Sequence, residues 1–203
     1  MILGVILAAG ESRRFPGNKL LFKWEGKPVI RHTLENALKS KIDKIILVLG
    51  HDKDKIINVV KDLDDKIEYV YNPRYREGMS TSVKTGVKYA YEKYGEKIEG
   101  ILITPGDTAW IPPEAYNMVI EEFLKKKPLI AVASYQGRKG HPIIFHRSLI
   151  PEILEISEET RGLKKITRKY SPYTLVVETP YPGVVLDIDT YNDLNRVKYM
   201  LKK

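Results

Sequence analysis

Ile2-Leu3-Gly4-Val5-Ile6-Leu7-Ala8-Ala9-Gly10 runs directly into Glu11-Ser12-Arg13-Arg14-Phe15-Pro16-Gly17-Asn18-Lys19. The unbroken apolar run predicts a strand covered on both faces, as in parallel sheets. It ends in small residues and at Gly10, where no side chain stands between the backbone and a ligand. Ser12, Arg13, Arg14 and Lys19 then supply a hydroxyl and cations. Amide donors followed by cations suit a polyphosphate, which offers many acceptor oxygens and several charges. Two common phosphate loops do not fit. Six residues, not four, separate Gly10 from Gly17, and Asn18 precedes the lysine, so the P-loop pattern fails. The three glycines of the dinucleotide fingerprint are also absent.

Working outward, Lys27-Pro28 predicts the start of a helix with apolar residues at Val29, Ile30, Leu34, Ala37 and Leu38. Ile45 to Leu49 reads as a second buried strand ending at Gly50-His51, followed by a helix through Ile56, Ile57, Val59, Val60 and Leu63. Ile67 to Tyr71 reads as a short strand and Ile98 to Thr104 as another. A helix after Pro112-Pro113 and a buried strand Leu129–Ala133 follow. Strands alternating with helices predict βαβ units and a mostly parallel sheet. Ligands in such sheets collect beyond the carboxyl ends of the strands. Gly10, Gly50 and Asn72 stand at three such ends.

At 203 residues with no repeat, tract or linker, the chain is expected to form one domain, 1–203. There is no apolar run near about 18 residues and no charged-then-apolar leader, and Met1 leads straight into the first strand. Zero cysteines exclude disulfides, thiolate metal sites and thiol catalysis. A cytoplasmic protein away from membranes is the expectation. Net charge is +8, yet the basic residues are spread along the chain and mixed with acids, which fits a solvated surface plus one anion site rather than nucleic acid. Thirty percent charged residues and a single glutamine, Gln136, are the composition expected of a thermophile.

Four further stretches carry chemistry. Asn72-Pro73-Arg74-Tyr75-Arg76-Glu77-Gly78-Met79-Ser80-Thr81-Ser82 opens a helix to about Tyr94, with Ser80 or Thr81 as its expected cap. Its start then presents free amides and a positive dipole end. Asp107 follows Pro105-Gly106 at a strand end. It reads as a turn-forming acid or as a ligand for Mg²⁺, which takes one or two carboxylates together with phosphate oxygens. Gly137-Arg138-Lys139-Gly140-His141-Pro142 reads as a basic hairpin loop before a strand, with His146 facing away. Asp187 and Asp189 alternate and are expected on one face of a strand end, with Thr190 capping the last helix and Asp193 a first-turn acid without a chemical role.

Leu7-Ala8-Ala9-Gly10-Glu11-Ser12-Arg13-Arg14, with Lys19 beyond, resembles the signature of the nucleotidyltransferases of the molybdenum-cofactor family. Gly78-Met79 with Ser82, Gly106-Asp107, Gly140-His141-Pro142 and Asp187-Ile188-Asp189-Thr190 resemble further motifs of that family, in the same order. The resemblance covers essentially the whole chain. It implies a three-layer α/β/α, nucleotide-diphospho-sugar-transferase-like (Rossmann-like) domain with a mixed, mostly parallel sheet. It implies nucleotide binding by Leu7, Ala8, Ala9, Gly10, Ser12, Arg14, Lys19, Asn72, Gly78, Ser82 and Asp107. Catalysis would fall to Arg14, Lys19 and Asp107, and Mg²⁺ binding to Asp107 with Asp189, favoured over Asp187. Gly140, His141 and Pro142 would meet the acceptor. Ala9 matches members that use CTP, and a molybdopterin-type phosphate is the implied acceptor. Whether a molybdoenzyme partner receives the product stays open.

The chain also departs from the family. Thr108-Ala109-Trp110 stands where Gln-Pro is usual after Gly-Asp, Phe15 replaces a Met, and Pro16 is extra. Glu159 to Lys165 matches its family counterpart only loosely, reading equally as an acceptor contact or a solvated helix face. Other readings are a sugar-phosphate or cobinamide-phosphate nucleotidyltransferase, a nucleotide-sugar glycosyltransferase, and a nucleotide sensor. The glycosyltransferase would usually carry Asp-x-Asp, which Asp107-Thr108-Ala109 lacks.

Overall fold

The computed structural model describes residues 1–201, so residues 202 and 203 of the expected domain lie outside the described residues. Its strands are β1 (Ile2–Ala8), β2 (Lys23–Trp24), β3 (Lys27–Pro28), β4 (Lys44–Leu49), β5 (Ile67–Tyr71), β6 (Gly100–Pro105), β7 (Ile130–Tyr135), β8 (Arg138–His146) and β9 (Thr174–Glu178). The helices are α1 (Val29–Leu38), α2 (Lys53–Val60), α3 (Met79–Tyr94), α4 (Pro113–Lys126), α5 (Ile150–Leu154), α6 (Leu163–Lys169) and α7 (Asp193–Leu201).

Seven strands form one sheet in the order β5-β4-β1-β6-β8-β7-β9. The ladders β5–β4, β4–β1, β1–β6 and β7–β9 are parallel, and β8 runs antiparallel to both of its neighbours. The sheet is therefore mixed and mostly parallel, as expected. Central β1 owes its apolar run to cover on both faces. Ile6 and Ala8 meet Leu34 of α1, Ile56 of α2 and Phe123 of α4 in one core, while Leu3 and Val5 meet Val83 and Val87 of α3, Ile153 of α5 and Ile166 of α6 in the other. Gly86 lets α3 lie close on the sheet, since a Cβ there would stand 2.5 Å from Val5. A third, smaller cluster joins Phe15, Trp24, Trp110 and Ile188 to Leu194 and Val197 of α7.

Several boundaries differ from expectation. Lys27-Pro28 forms the short strand β3, and the first helix begins only at Val29. The second helix stops at Val60 rather than at Leu63. The basic stretch from Arg138 is strand, not loop: β8 already pairs with β7 there, Tyr135 opposite Arg138. Antiparallel pairing uses backbone groups, so exposed basic side chains leave it intact. Asp187 and Asp189 follow a 3₁₀ turn, Pro182–Val185, and lie in irregular chain rather than on a strand. Strand β9 was not expected at all.

Gly140 has a packing role in this arrangement. A Cβ there would overlap the Val184 carbonyl, and one at Gly183 would overlap the carbonyl of Trp110. Two backbone-on-backbone contacts thus stack β8, the 3₁₀ turn and the loop after Asp107. Gly140→Ala is expected to destabilise the fold by about 2 kcal/mol or more, because this overlap involves main chain that cannot rotate away. Urea denaturation of the variant checks this.

Candidate active site

The parallel strands β1, β4, β5 and β6 deliver Ala9-Gly10, Gly50-His51, Asn72 and Gly106-Asp107 to one edge of the sheet. Because β8 runs the other way, its beginning reaches that same edge. Ile143 pairs with Ile103 in an antiparallel ladder, so two residues on along β6 and two back along β8, Pro105 comes level with His141.

The loop after β1 is closed on itself. Ser12 adopts φ 53°, its carbonyl accepts the Phe15 N–H at 2.8 Å, and its hydroxyl accepts the Lys19 N–H at 3.3 Å. Glu11 accepts from Arg13 Nε at 2.9 Å and from Arg76 Nε at 3.2 Å. Arg13 is the main cause holding its carboxyl below the usual range, with Arg76 adding to it. Asn18 takes the Leu20 N–H and donates to Asp52, tying the loop to the start of α2. Ala9 is buried and its carbonyl accepts the His51 N–H at 3.1 Å. Gly10 is exposed, and a side chain there would meet open space.

Lys19 reaches back across the site. Its ammonium pairs with Asp107, lies 3.6 Å from Asp189 Oδ1, and donates to the Ile188 carbonyl at 2.7 Å. Arg14 pairs with the same Asp189 oxygen at 3.0 Å. Arg14, Lys19, Asp107 and Asp189 are thus brought together, whereas Asp187 is exposed and paired with Arg196 at 3.2 Å. Asp107 is 5 % exposed, and its Oδ1 is buried with no partner. One orphaned carboxylate oxygen beside a second carboxylate is a donor set that fits a hard divalent cation. Among the described residues no group of three acidic or histidine side chains gathers, so phosphate oxygens and water would complete such a shell.

The Asp107 turn is pinned from several sides. Gly106 N–H donates to the Leu7 carbonyl at 2.8 Å, and its own carbonyl accepts Thr33 Oγ1 at 2.8 Å. Asn36 of α1 donates to the Ala109 carbonyl at 3.0 Å. Thr108, atypical by the resemblance, closes the turn by donating to the Pro105 carbonyl at 2.8 Å, and it contacts Thr104 at 3.1 Å. Ala109 and Trp110 are buried in the third cluster, where Trp110 packs edge-on against Trp24.

The Asp189 turn depends on Asp193. One oxygen of Asp193 accepts Asp189 N–H at 3.0 Å, Thr190 N–H at 2.7 Å and Thr190 Oγ1 at 3.0 Å. Burial opposes ionisation of Asp193, but these donors outweigh it and hold the carboxyl below its ordinary value. Asp193, expected to be inert, therefore positions the turn carrying Asp189, and the Thr190 hydroxyl donates to it instead of capping α7. Thr33, Asn36 and Asp193 are the functional residues that sequence reasoning missed. Their signal was weak: polar groups on a helix face or in a first turn.

Other expected contacts turn inward. Asn72 is buried and donates to Thr81 and Ser82 at 2.9 Å each, so Ser82 faces Asn72 inside the fold. Neither Ser80 nor Thr81 caps α3; Glu158 takes the Ser80 N–H instead. His141 is half-buried near the start of β8. Burial pushes its imidazole below the ordinary range while Asp107 and Asp187 pull the other way, and its Nδ1 has no partner. His146 lies at the far end of β8, against Phe123.

Lys19→Met leaves two carboxylates facing each other with Arg14 as their remaining cation. Removing one partner of a largely buried pair costs about 3 kcal/mol, so a destabilisation of that order is expected. Mn²⁺ should stabilise the variant more than the wild type, and thermal melts with and without the ion check both effects.

Comparison with known proteins agrees with this geometry. The profile described as "MobA-like NTP transferase domain" matches residues 4–173. A probable molybdenum cofactor guanylyltransferase of Thermococcus sibiricus is 26% identical over 211 residues, covering 99% of this chain and 100% of that protein. The molybdenum cofactor cytidylyltransferase of Escherichia coli is 25% identical over 194 residues, covering 96% and 94%. Among solved structures, a nucleotidyl transferase from Methanothermobacter thermautotroptrophicus superposes with a TM-score of 0.81 at 22% identity, covering 100% of this chain and 98% of that one. The chain belongs to the MobA-like NTP transferase domain family and is a nucleotidyltransferase.

Proposed function

We propose that the enzyme transfers a nucleoside monophosphate from a nucleoside triphosphate, CTP favoured, to the phosphate of a molybdopterin-type acceptor. The observation that carries this reading is the meeting of Arg14, Lys19, Asp107 and Asp189 at the strand ends. An acceptor phosphate oxygen attacks the α-phosphorus, forming a new P–O–P bond as the bond to pyrophosphate breaks. Such transfer depends on positioning and charge neutralisation, so no covalent protein group is needed. Arg14 and Lys19 neutralise charge on the α-phosphate and the departing pyrophosphate. Asp107 and Asp189 would hold a divalent cation, Mg²⁺ in this reading, which would supply charge neutralisation for the phosphates. Backbone at Leu7 to Gly10, with Ser12, meets the nucleotide; Asn72 and Ser82 support the Gly78 segment from behind.

His141 and Pro142, at the beginning of β8, face the acceptor. In this reading Gly140 serves by letting the Val184 backbone approach rather than by touching ligand. No helix among the described residues is long and apolar enough to cross a membrane. GTP is the second reading for the donor, favoured by the likeness to the probable guanylyltransferase of Thermococcus sibiricus; Ala9 favours CTP.

Thermal melts with CTP, GTP, ATP, UTP and UDP-glucose, each with and without Mg²⁺, test the donor. A triphosphate at ~100 times its dissociation constant should add about 2.7 kcal/mol. Selective stabilisation by CTP with Mg²⁺ is expected; a stronger response to GTP replaces the donor assignment, and response to UDP-glucose alone overturns the reaction class. Asp107→Ala is expected to lose about a hundredfold or more in turnover; a variant keeping most of its rate refutes the metal role.

A further inference from the structure

Helix α3 begins at Met79 without a cap from its own side chains. The carboxylate of Glu158, 78 residues away in sequence, accepts the Ser80 N–H at 2.7 Å. Glu158 belongs to the turn between α5 and α6. That turn is fixed locally: Arg161 N–H donates to the Glu158 carbonyl at 2.9 Å, Gly162 N–H to the Ser157 carbonyl at 2.8 Å, and Ser157 and Thr160 bond to one another.

Two glycines make the contact possible. Gly78 stands at φ +113°, and a Cβ there would overlap the Glu158 side chain. Gly162 comes close from the other side, where a Cβ would stand 3.0 Å from Ser80 Oγ. That hydroxyl is itself buried and without a partner. The segment Gly78–Ser82 is therefore clamped to the 157–162 turn through one carboxylate. Glu158 also places negative charge on the positive end of α3, which would otherwise attract anions.

We propose that Glu158 is a positioning residue for nucleotide binding. It fixes Gly78–Ser82 in the form that the nucleoside meets, and it denies the α3 terminus to the triphosphate, which goes instead to Arg14 and Lys19. The proposal rests on the nucleotide reading above and adds to it the control of the nucleotide's orientation.

Calorimetric titration with pyrophosphate, then with CTP or GTP, tests it in Glu158→Ala and Glu158→Gln. The wild type is expected to bind one pyrophosphate and Glu158→Ala a second, at the vacated α3 terminus. Nucleotide affinity in Glu158→Ala should fall about tenfold, the scale of a lost charged hydrogen bond. Glu158→Gln keeps an oxygen that can accept from Ser80 and should recover the nucleotide affinity, while without the charge it should still admit the second pyrophosphate. Glu158→Asp, one methylene short, replaces the alanine variant if that one fails to fold. A purely structural role would lower the melting temperature and leave the dissociation constants of the folded fraction unchanged. Unchanged pyrophosphate stoichiometry, or unchanged nucleotide affinity, in Glu158→Ala overturns the proposal. Pyrophosphate stoichiometry needs no turnover, so it still judges Glu158 if the wild type responds to no triphosphate, which is failure of the nucleotide reading itself.

Discussion

A single ammonium group joins the three segments that make the site. Lys19 comes from the loop after β1, Asp107 from the turn after β6, and Ile188 with Asp189 from the irregular chain before α7. Two carboxylates this close repel each other unless a cation lies between them. The surrounding hydrogen bonds make sense in that light. Ser12 and Asn18 fix the backbone that presents Lys19, Thr33 and Asn36 fix the Asp107 turn, and Asp193 fixes Asp189. The two acids are thus held in place around one cation, each by hydrogen bonds to its own turn.

Much of this was legible in the chain. The run Ile2–Ala8 announced a strand covered on both faces because its residues need burial on both sides, and β1 is the strand on which both cores rest. Gly106-Asp107 after an apolar run placed an acid at a strand end without reference to any other part of the molecule. Those inferences are local, so sequence carries them well.

What escaped was long-range or made of backbone. The contact of Glu158 with Ser80 joins residues 78 apart, and no local pattern in either stretch announces it. The start of β8 looked like loop because Arg138 and Lys139 are exposed and basic, although the ladder they join is built from main-chain groups. Gly140 was expected at the acceptor only through the resemblance of Gly140-His141-Pro142 to a family motif, and nothing in that motif announced that a Cβ at Gly140 would meet the Val184 carbonyl. Thr108-Ala109-Trp110 looked like a departure near the acceptor. In the fold its side chains close a turn and fill the third core, so the change of residues there is accommodated by packing.

The one reversed strand has a consequence for how such a scaffold can diversify. Since β8 enters from the edge where β7 leaves, the hairpin at Gln136-Gly137 hangs beyond the same sheet edge as Asp107 while its strands stay locked in the sheet. Both residues take left-handed φ values, 49° and 75°, in a short connection exposed to solvent. Exposed hairpin tips accept added or lost residues at little cost to the core. Lengthening this one would raise a wall along that edge of the sheet while leaving Lys19, Asp107 and Asp189 where they are. Within such an architecture, the rim of the sheet edge can change in length and shape separately from the ion-paired cluster.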